Sequence, residues 1–167
     1  TMNDFFTKTD LSRKDAENII SDTLNKCDDG ELYLENSKSE TIVLDDDIIK
    51  SSTYSSDLGY GLRAVTGEVV AYSHSNEISK NSLKQSASNL SSTLKSQKGV
   101  YNHEIPKTNE KFYKNINPIE EKSLESKLEL LKEVNNYTRV KGGIVQQVTA
   151  SFSGEHKSIE IIRSGGE

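Results

Sequence analysis

Residues 58–79 contain two runs of alternating character that meet at Thr66-Gly67 and lead straight into a helix start, and few folds other than a β-hairpin followed by a helix accommodate that pattern. Gly67 is free to take the positive φ that a tight hairpin demands. With Thr66-Gly67 as the turn, Leu62 faces Ala71, Ala64 faces Val69, Arg63 faces Val70 and Gly61 faces Tyr72. Side chains alternate along a strand, so Leu62, Ala64, Val69 and Ala71 make a core face, and Gly61, Arg63, Val70 and Tyr72 make the other. On that second face Tyr72 is expected to cover Gly61, and Arg63 to reach Glu68 diagonally. A slip of one residue would bury Arg63, so the register is well specified.

A chain of 167 residues suits one or at most two small domains and is long enough to bury a real core. Its single cysteine, Cys27, excludes an internal disulfide framework and suits a reducing, cytoplasmic compartment. The formal charge of −5, with Lys and Arg scattered, argues against a nucleic-acid groove or an anionic membrane surface. No stretch approaches the roughly 18 apolar residues of a membrane span, and the N-terminus lacks a leader pattern. Thr1 before Met2 resembles a cloning scar, and 1–11 reads as a tail.

Ser12 and Asp15 form a capping box for a first helix over 12–26, with Ala16, Ile19, Ile20 and Leu24 at helical spacing. Short strands are expected at 31–35 and 41–44, separated by a turn over 36–39, and another at 48–52 before a polar connection to 57. Ser79 caps a second helix over 79–96, which Gly99 closes; 99–117, with Pro106, reads as a connecting loop. Asn117, Pro118 and Glu120 begin a third helix, whose Leu124, Leu128, Leu130, Leu131 and Val134 form a wide apolar stripe out to Tyr137. A second hairpin follows: Ile144, Val148, Ala150 and Phe152 line one strand, Gly154-Glu155 turns, and Ile159 and Ile161 continue on the partner, before a last turn at Gly165-Gly166. The division expected is an α+β core over 12–98 with hairpin 58–73, the loop, and 118–167 as helix plus hairpin.

Catalytic signatures are weak. Asp45-Asp46-Asp47 is not followed by the central glycine that a calcium loop places among its alternate carboxylates, and it reads as a solvated turn. His103-Glu104 is the only His-Glu pair, and Pro106 breaks any helix that would carry a second histidine ligand. Cys27 has no nucleophile signature around it and reads as core. Gly59-Tyr60-Gly61 is followed by a strand, which excludes a phosphate-binding helix N-terminus. Arg63 with Glu68 reads as a cross-strand pair.

The run from Gly59 to Glu68, then Ala71-Tyr72-Ser73 and Glu77-Ile78-Ser79, closely resembles the corresponding stretch of the TldD/PmbA family, on the TldD side. Glu31 to Glu35, Leu44 to Lys50 and Val148 to Gly154 resemble the same family in the same order. The resemblance implies an intracellular zinc metallopeptidase, historically called a modulator of DNA gyrase and linked to peptide-antibiotic maturation and antitoxin turnover. It pairs a TldD subunit with PmbA, also called TldE, and holds zinc on a downstream His-Glu-x-x-x-His helix and a cysteine. This chain ends before any such residues, so no cofactor is expected within it and zinc is expected only in the full-length protein.

The architecture expected is α+β, an antiparallel sheet of hairpins with helices packed on it, like a TldD/PmbA N-terminal domain. The function implied is substrate access and dimerisation in a metallopeptidase acting on unfolded peptides or small proteins, inactive in isolation. Its partner would be a PmbA/TldE-like subunit or a second copy. The alternative is a non-catalytic protein-interaction module. Gly61, Arg63, Gly67, Glu68 and Tyr72 are the candidate peptide-groove or structural-hairpin residues. Direct action on DNA is disfavoured by the acidic balance.

Overall fold

The computed structural model describes residues 5–95, 113–114, 116–141 and 143–164. Most of the expected loop at 99–117, the expected stop at Gly99 and the last turn at Gly165-Gly166 lie outside the described residues. The elements run α1 (Arg13–Leu24), β1 (Asp29–Asp45), β2 (Ile48–Thr66), β3 (Val69–Ser75), α2 (Lys80–Leu94), α3 (Pro118–Glu121), α4 (Leu124–Lys141) and β4 (Thr149–Arg163). The four strands form one sheet in the order β3-β2-β1-β4. By its contacts the chain divides into two compact units. Described residues within 1–36, 57–114 and 158–167 form the first, and those within 37–56 and 115–157 the second. The chain passes between them inside β1, β2 and β4.

In the first unit, the Ser12 hydroxyl accepts the Asp15 N–H at 3.1 Å, starting α1, whose Ala16, Ile20 and Leu24 are buried one turn apart. Ser79 likewise accepts the Ser82 N–H at 3.1 Å and starts α2, which buries Leu83, Ala87, Leu90 and Leu94. Both helices share a core with Leu32 and Leu34 of β1, Leu62 and Ala64 of β2, Ala71 of β3 and Ile162 of β4. Cys27 is buried in this core.

The organising hairpin is present, with one correction. Its turn residues are Gly67-Glu68, and Leu62 pairs with Ser73, Arg63 with Tyr72, Ala64 with Ala71 and Thr66 with Val69. Gly67 has φ 59° and Glu68 does not share the positive φ, which is a type II′ arrangement. Turning at Thr66-Gly67 would have forced that φ on β-branched Thr66. The pairing therefore moves by two residues, and each side chain keeps the face expected of it.

Three further expectations give way to longer strands. The turn at 36–39 and the connection before 57 are absent: β1 and β2 run unbroken for 17 and 19 residues. β1 has a neighbour on both sides, so its backbone groups find ladder partners despite Asn36, Ser37 and Ser39. β1 and β2 meet at Asp46-Asp47, with φ 48° and 64°, a type I′ turn. Gly154-Glu155 does not turn either, because β4 is continuous over 15 residues. Parity then carries through from Ala150 and Phe152 to Ile162, which leaves Ile159 and Ile161 on the exposed face. Ile144, expected in the strand, is 93% exposed in a turn before it.

In the second unit, the single helix expected from 118 is two. α3 starts on Asn117, whose side chain accepts the Ile119 N–H at 3.1 Å; Ser123 then caps α4 by accepting the Ser126 N–H at 3.2 Å. The stripe α4 buries is Lys127, Leu131 and Asn135, and Leu124, Leu130 and Val134 are exposed. Leu131 packs on Ile42, Leu44 and Ala150. Lys127 is 5% exposed because its ammonium donates to Glu40 at 2.5 Å and to the Ile119 carbonyl at 2.6 Å. Asn135 is fully buried and donates to Asp47 at 2.7 Å, while Arg139 pairs with Asp46. The solvated aspartate turn is thus also tied to α4.

Candidate functional site

In β1, β2 and β4 of the first unit the even-numbered residues face the helices and the odd-numbered ones face outward. Of the residues singled out from sequence, Gly61, Arg63 and Tyr72 come together on this outward face, and Gly67 and Glu68 lie in the turn. Tyr72 does cover Gly61: a Cβ there would stand 2.6 Å from the Tyr72 hydroxyl. Because Arg63 lies directly opposite Tyr72, the tyrosine reaches its glycine diagonally.

Arg63 does not pair with Glu68. Its guanidinium donates to Asp29 at 2.7 Å and to Glu31 at 3.4 Å on β1, and Arg163 of β4 donates to Glu31 at 3.3 Å. β1 lies beside β2 in the sheet and offers Asp29 and Glu31 at odd positions, whereas Glu68 is spent on the turn. The Asp29 carboxyl is pushed up by partial burial, but the Arg63 hydrogen bond, the Gly30 N–H and the two arginine charges outweigh this and hold it below its ordinary value. Asp29, Glu31 and Arg163 were missed from sequence; the signal was the same odd-position parity, readable once 29–35 is taken as one strand.

Next to them, Tyr33 donates to Glu35 at 2.5 Å, and that hydrogen bond, with burial and the carboxylate charge, pushes its phenol up to about 12. Tyr33, Glu35, Gly59, Gly61, Tyr72 and Asn76 line a groove of about 320 Å³. Gly59 lets the backbone at Ser75 approach closely, since a Cβ there would meet the Ser75 carbonyl at 2.8 Å. On the helix side of β3, Tyr60, Ser82, Ser86 and Ser73 share a hydroxyl network with oxygens 2.8 to 2.9 Å apart. Among the described residues no three His, Cys, Asp or Glu side chains could hold a metal ion. What these surfaces offer is backbone, aromatic and hydrogen-bonding contact.

The site is thus a sheet face with a groove beside it, and no metal-binding group stands among the described residues. Residues 30–93 match the family model described as PmbA/TldA metallopeptidase domain 1. The chain is 34% identical over 140 residues to the metalloprotease TldD homolog of Buchnera aphidicola from Acyrthosiphon pisum, covering 83% of this chain and 29% of the relative. To the corresponding Haemophilus influenzae protein it is 30% identical over 171 residues, covering 98% of this chain and 35% of the relative. The chain belongs to the PmbA/TldD family, and it spans about a third of the length of these relatives.

Solved structures share the fold. A Bacteroides thetaiotaomicron protein described as a modulator of DNA gyrase superposes with TM-score 0.66 at 16% identity, over 93% of this chain and 37% of that one. TldE from Thermococcus kodakarensis superposes with TM-score 0.58 at 16% identity, over 91% of this chain and 35% of its own. No helix among the described residues is long and apolar enough to cross a membrane.

Proposed function

We propose that this chain is the substrate-access and subunit-contact domain of a TldD-type zinc metallopeptidase of the cytoplasm. It would act on unfolded peptides or small proteins, with the zinc ligands in a part of the polypeptide beyond this chain. The observation that carries the reading is the match, over nearly the whole chain, to about a third of proteins named metalloprotease TldD. A structural neighbour named TldE supports a TldE-like subunit as the partner. The open face bearing Gly61, Arg63 and Tyr72 is the surface offered to substrate, with Gly67 and Glu68 setting the hairpin that carries it. A protease that accepts extended peptides needs sequence-tolerant backbone contacts, which sheets provide.

The test uses the purified chain. Metal analysis after incubation with zinc is expected to show no stoichiometric zinc, and incubation with unfolded casein no cleavage. Co-purification with a TldE-like subunit is expected to give a stable complex. Casein cleavage by the chain alone would overturn the reading.

A further inference from the structure

β3 is an outermost strand of the sheet, and nothing in its sequence guards that edge. Val69–Ser75 holds no proline and no lysine, arginine, aspartate or glutamate, the usual protections against unwanted strand pairing. β4, at the opposite edge, carries Glu155, Lys157, Glu160 and Arg163. Thr66 and Val69 flank a two-residue turn and so form a hydrogen-bonded pair, after which bonded and non-bonded pairs alternate. Val69, Ala71, Ser73 and Ser75 therefore bond to β2, and the N–H and C=O groups of Val70, Tyr72 and His74 point off the sheet.

Beside this edge runs a groove of about 310 Å³ between β3 and α2. Asn81, Gln85 and Asn89, each one helical turn apart and exposed, form a stripe of amides along it, and Ser82, Ser86 and Ser73 add hydroxyls. His74 and Glu77 stand among its lining residues. On the opposite face of the same edge, Val70 and Tyr72 are 60% and 64% exposed. The two sides of the edge thus have different chemistry.

We infer that the β3 edge binds an extended peptide whose side chains alternate, apolar beside Val70 and Tyr72, and hydroxyl or amide in the α2 groove. The inference rests on the reading of this chain as a peptide-receiving domain, and adds the edge used and the class of sequence accepted. The peptide extends the sheet by one strand, so its backbone bonds to Val70, Tyr72 and His74. An apolar side chain in the groove would leave the amides of Asn81, Gln85 and Asn89 unpaired, and an acidic one would lose water among lining residues that include Glu77 and no lysine or arginine.

The probe is an acetylated, amidated octapeptide of alternating Ser and Val, titrated into the isotope-labelled chain and followed by NMR. Backbone amide shifts are expected at Val70, Tyr72 and His74, and side-chain amide shifts at Asn81, Gln85 and Asn89. N-methylation of one alternating set, the valines for antiparallel addition, abolishes binding, whereas methylating the other set leaves it. Replacing the serines by Leu or Glu weakens binding about tenfold, the effect of losing one or two net hydrogen bonds. The N81L/Q85L variant, altered only on the exposed side of α2, should bind the Leu peptide at least as well as the Ser peptide.

Shifts confined to β4 or to the turn, or equal binding of the Ser, Leu and Glu peptides, would overturn this inference and leave the peptide-receiving reading standing. Failure of all three peptides to shift any resonance would overturn both.

Discussion

Tyr72 lies across Gly61 so closely that a Cβ on the glycine would stand 2.6 Å from the phenol oxygen, although the residue directly opposite Tyr72 is Arg63. The contact is made by the far end of an exposed side chain, which can swing aside. Gly61→Ala is therefore expected to cost about 0.5 kcal/mol or less. Gly30 presents the opposite case: its Cβ would meet buried Leu24 at 2.5 Å and the Arg63 carbonyl at 2.7 Å, neither free to move. Gly30→Ala is expected to destabilise by roughly 1–3 kcal/mol, the usual cost of overpacking. Urea denaturation of the two variants checks the contrast.

Gly67 holds φ at 59° at the first position of the β2-β3 turn, and its N–H donates to Asp28 at 2.6 Å. An L side chain in that conformation crowds its own backbone. Gly67→Ala should lower the urea midpoint by an amount corresponding to about 1–2 kcal/mol, with the slope of the transition unchanged. A change of slope would instead mean that the hairpin had re-paired.

Lys127 is the buried charge of α4, satisfied by Glu40 and the Ile119 carbonyl. Glu40→Ala strands that charge and is expected to cost about 3–5 kcal/mol. Replacing the pair together, as Glu40→Leu with Lys127→Met, removes both desolvated charges and should cost much less than the single change. Thermal unfolding of the single and double variants distinguishes an ion pair from mere packing.

The phenol of Tyr33, raised to about 12 by its hydrogen bond to Glu35, gives a pH signature. A group whose folded value lies above its unfolded value of about 10 contributes stability fully present below pH 10 and lost as pH rises through about 12. Absorbance titration should show one phenol ionising only near pH 12. In Glu35→Gln that step should move back toward 10, and the alkaline loss of stability should shrink with it.

Much of this molecule was legible in one dimension because local chemistry decides it. Ser12 and Ser79 start their helices by satisfying N–H groups within three residues, and Asn117 does the same for α3. Leu62, Ala64, Val69 and Ala71 sort onto one face by parity alone, and that sorting survives a two-residue change of register. The same parity puts Tyr72 and Gly61 on one face, where they touch diagonally and not as the directly opposed pair expected.

What sequence could not decide were contacts set by strands distant along the chain. Whether Asn36 to Ser39 and Gly154-Glu155 turn or continue depends on neighbouring backbone that completes their hydrogen bonds, and local turn propensity carries no record of it. The choice of Asp29 and Glu31 over Glu68 as partners of Arg63 needed the position of β1. On α4, leucines stand on several sides, so spacing favoured an all-apolar stripe. The buried row is Lys127, Leu131 and Asn135, because partners as remote as Glu40 and Asp47 satisfy the polar members there. Caps, turns and facing are written in neighbouring residues; burial of a charge is written only where two distant parts of the chain meet.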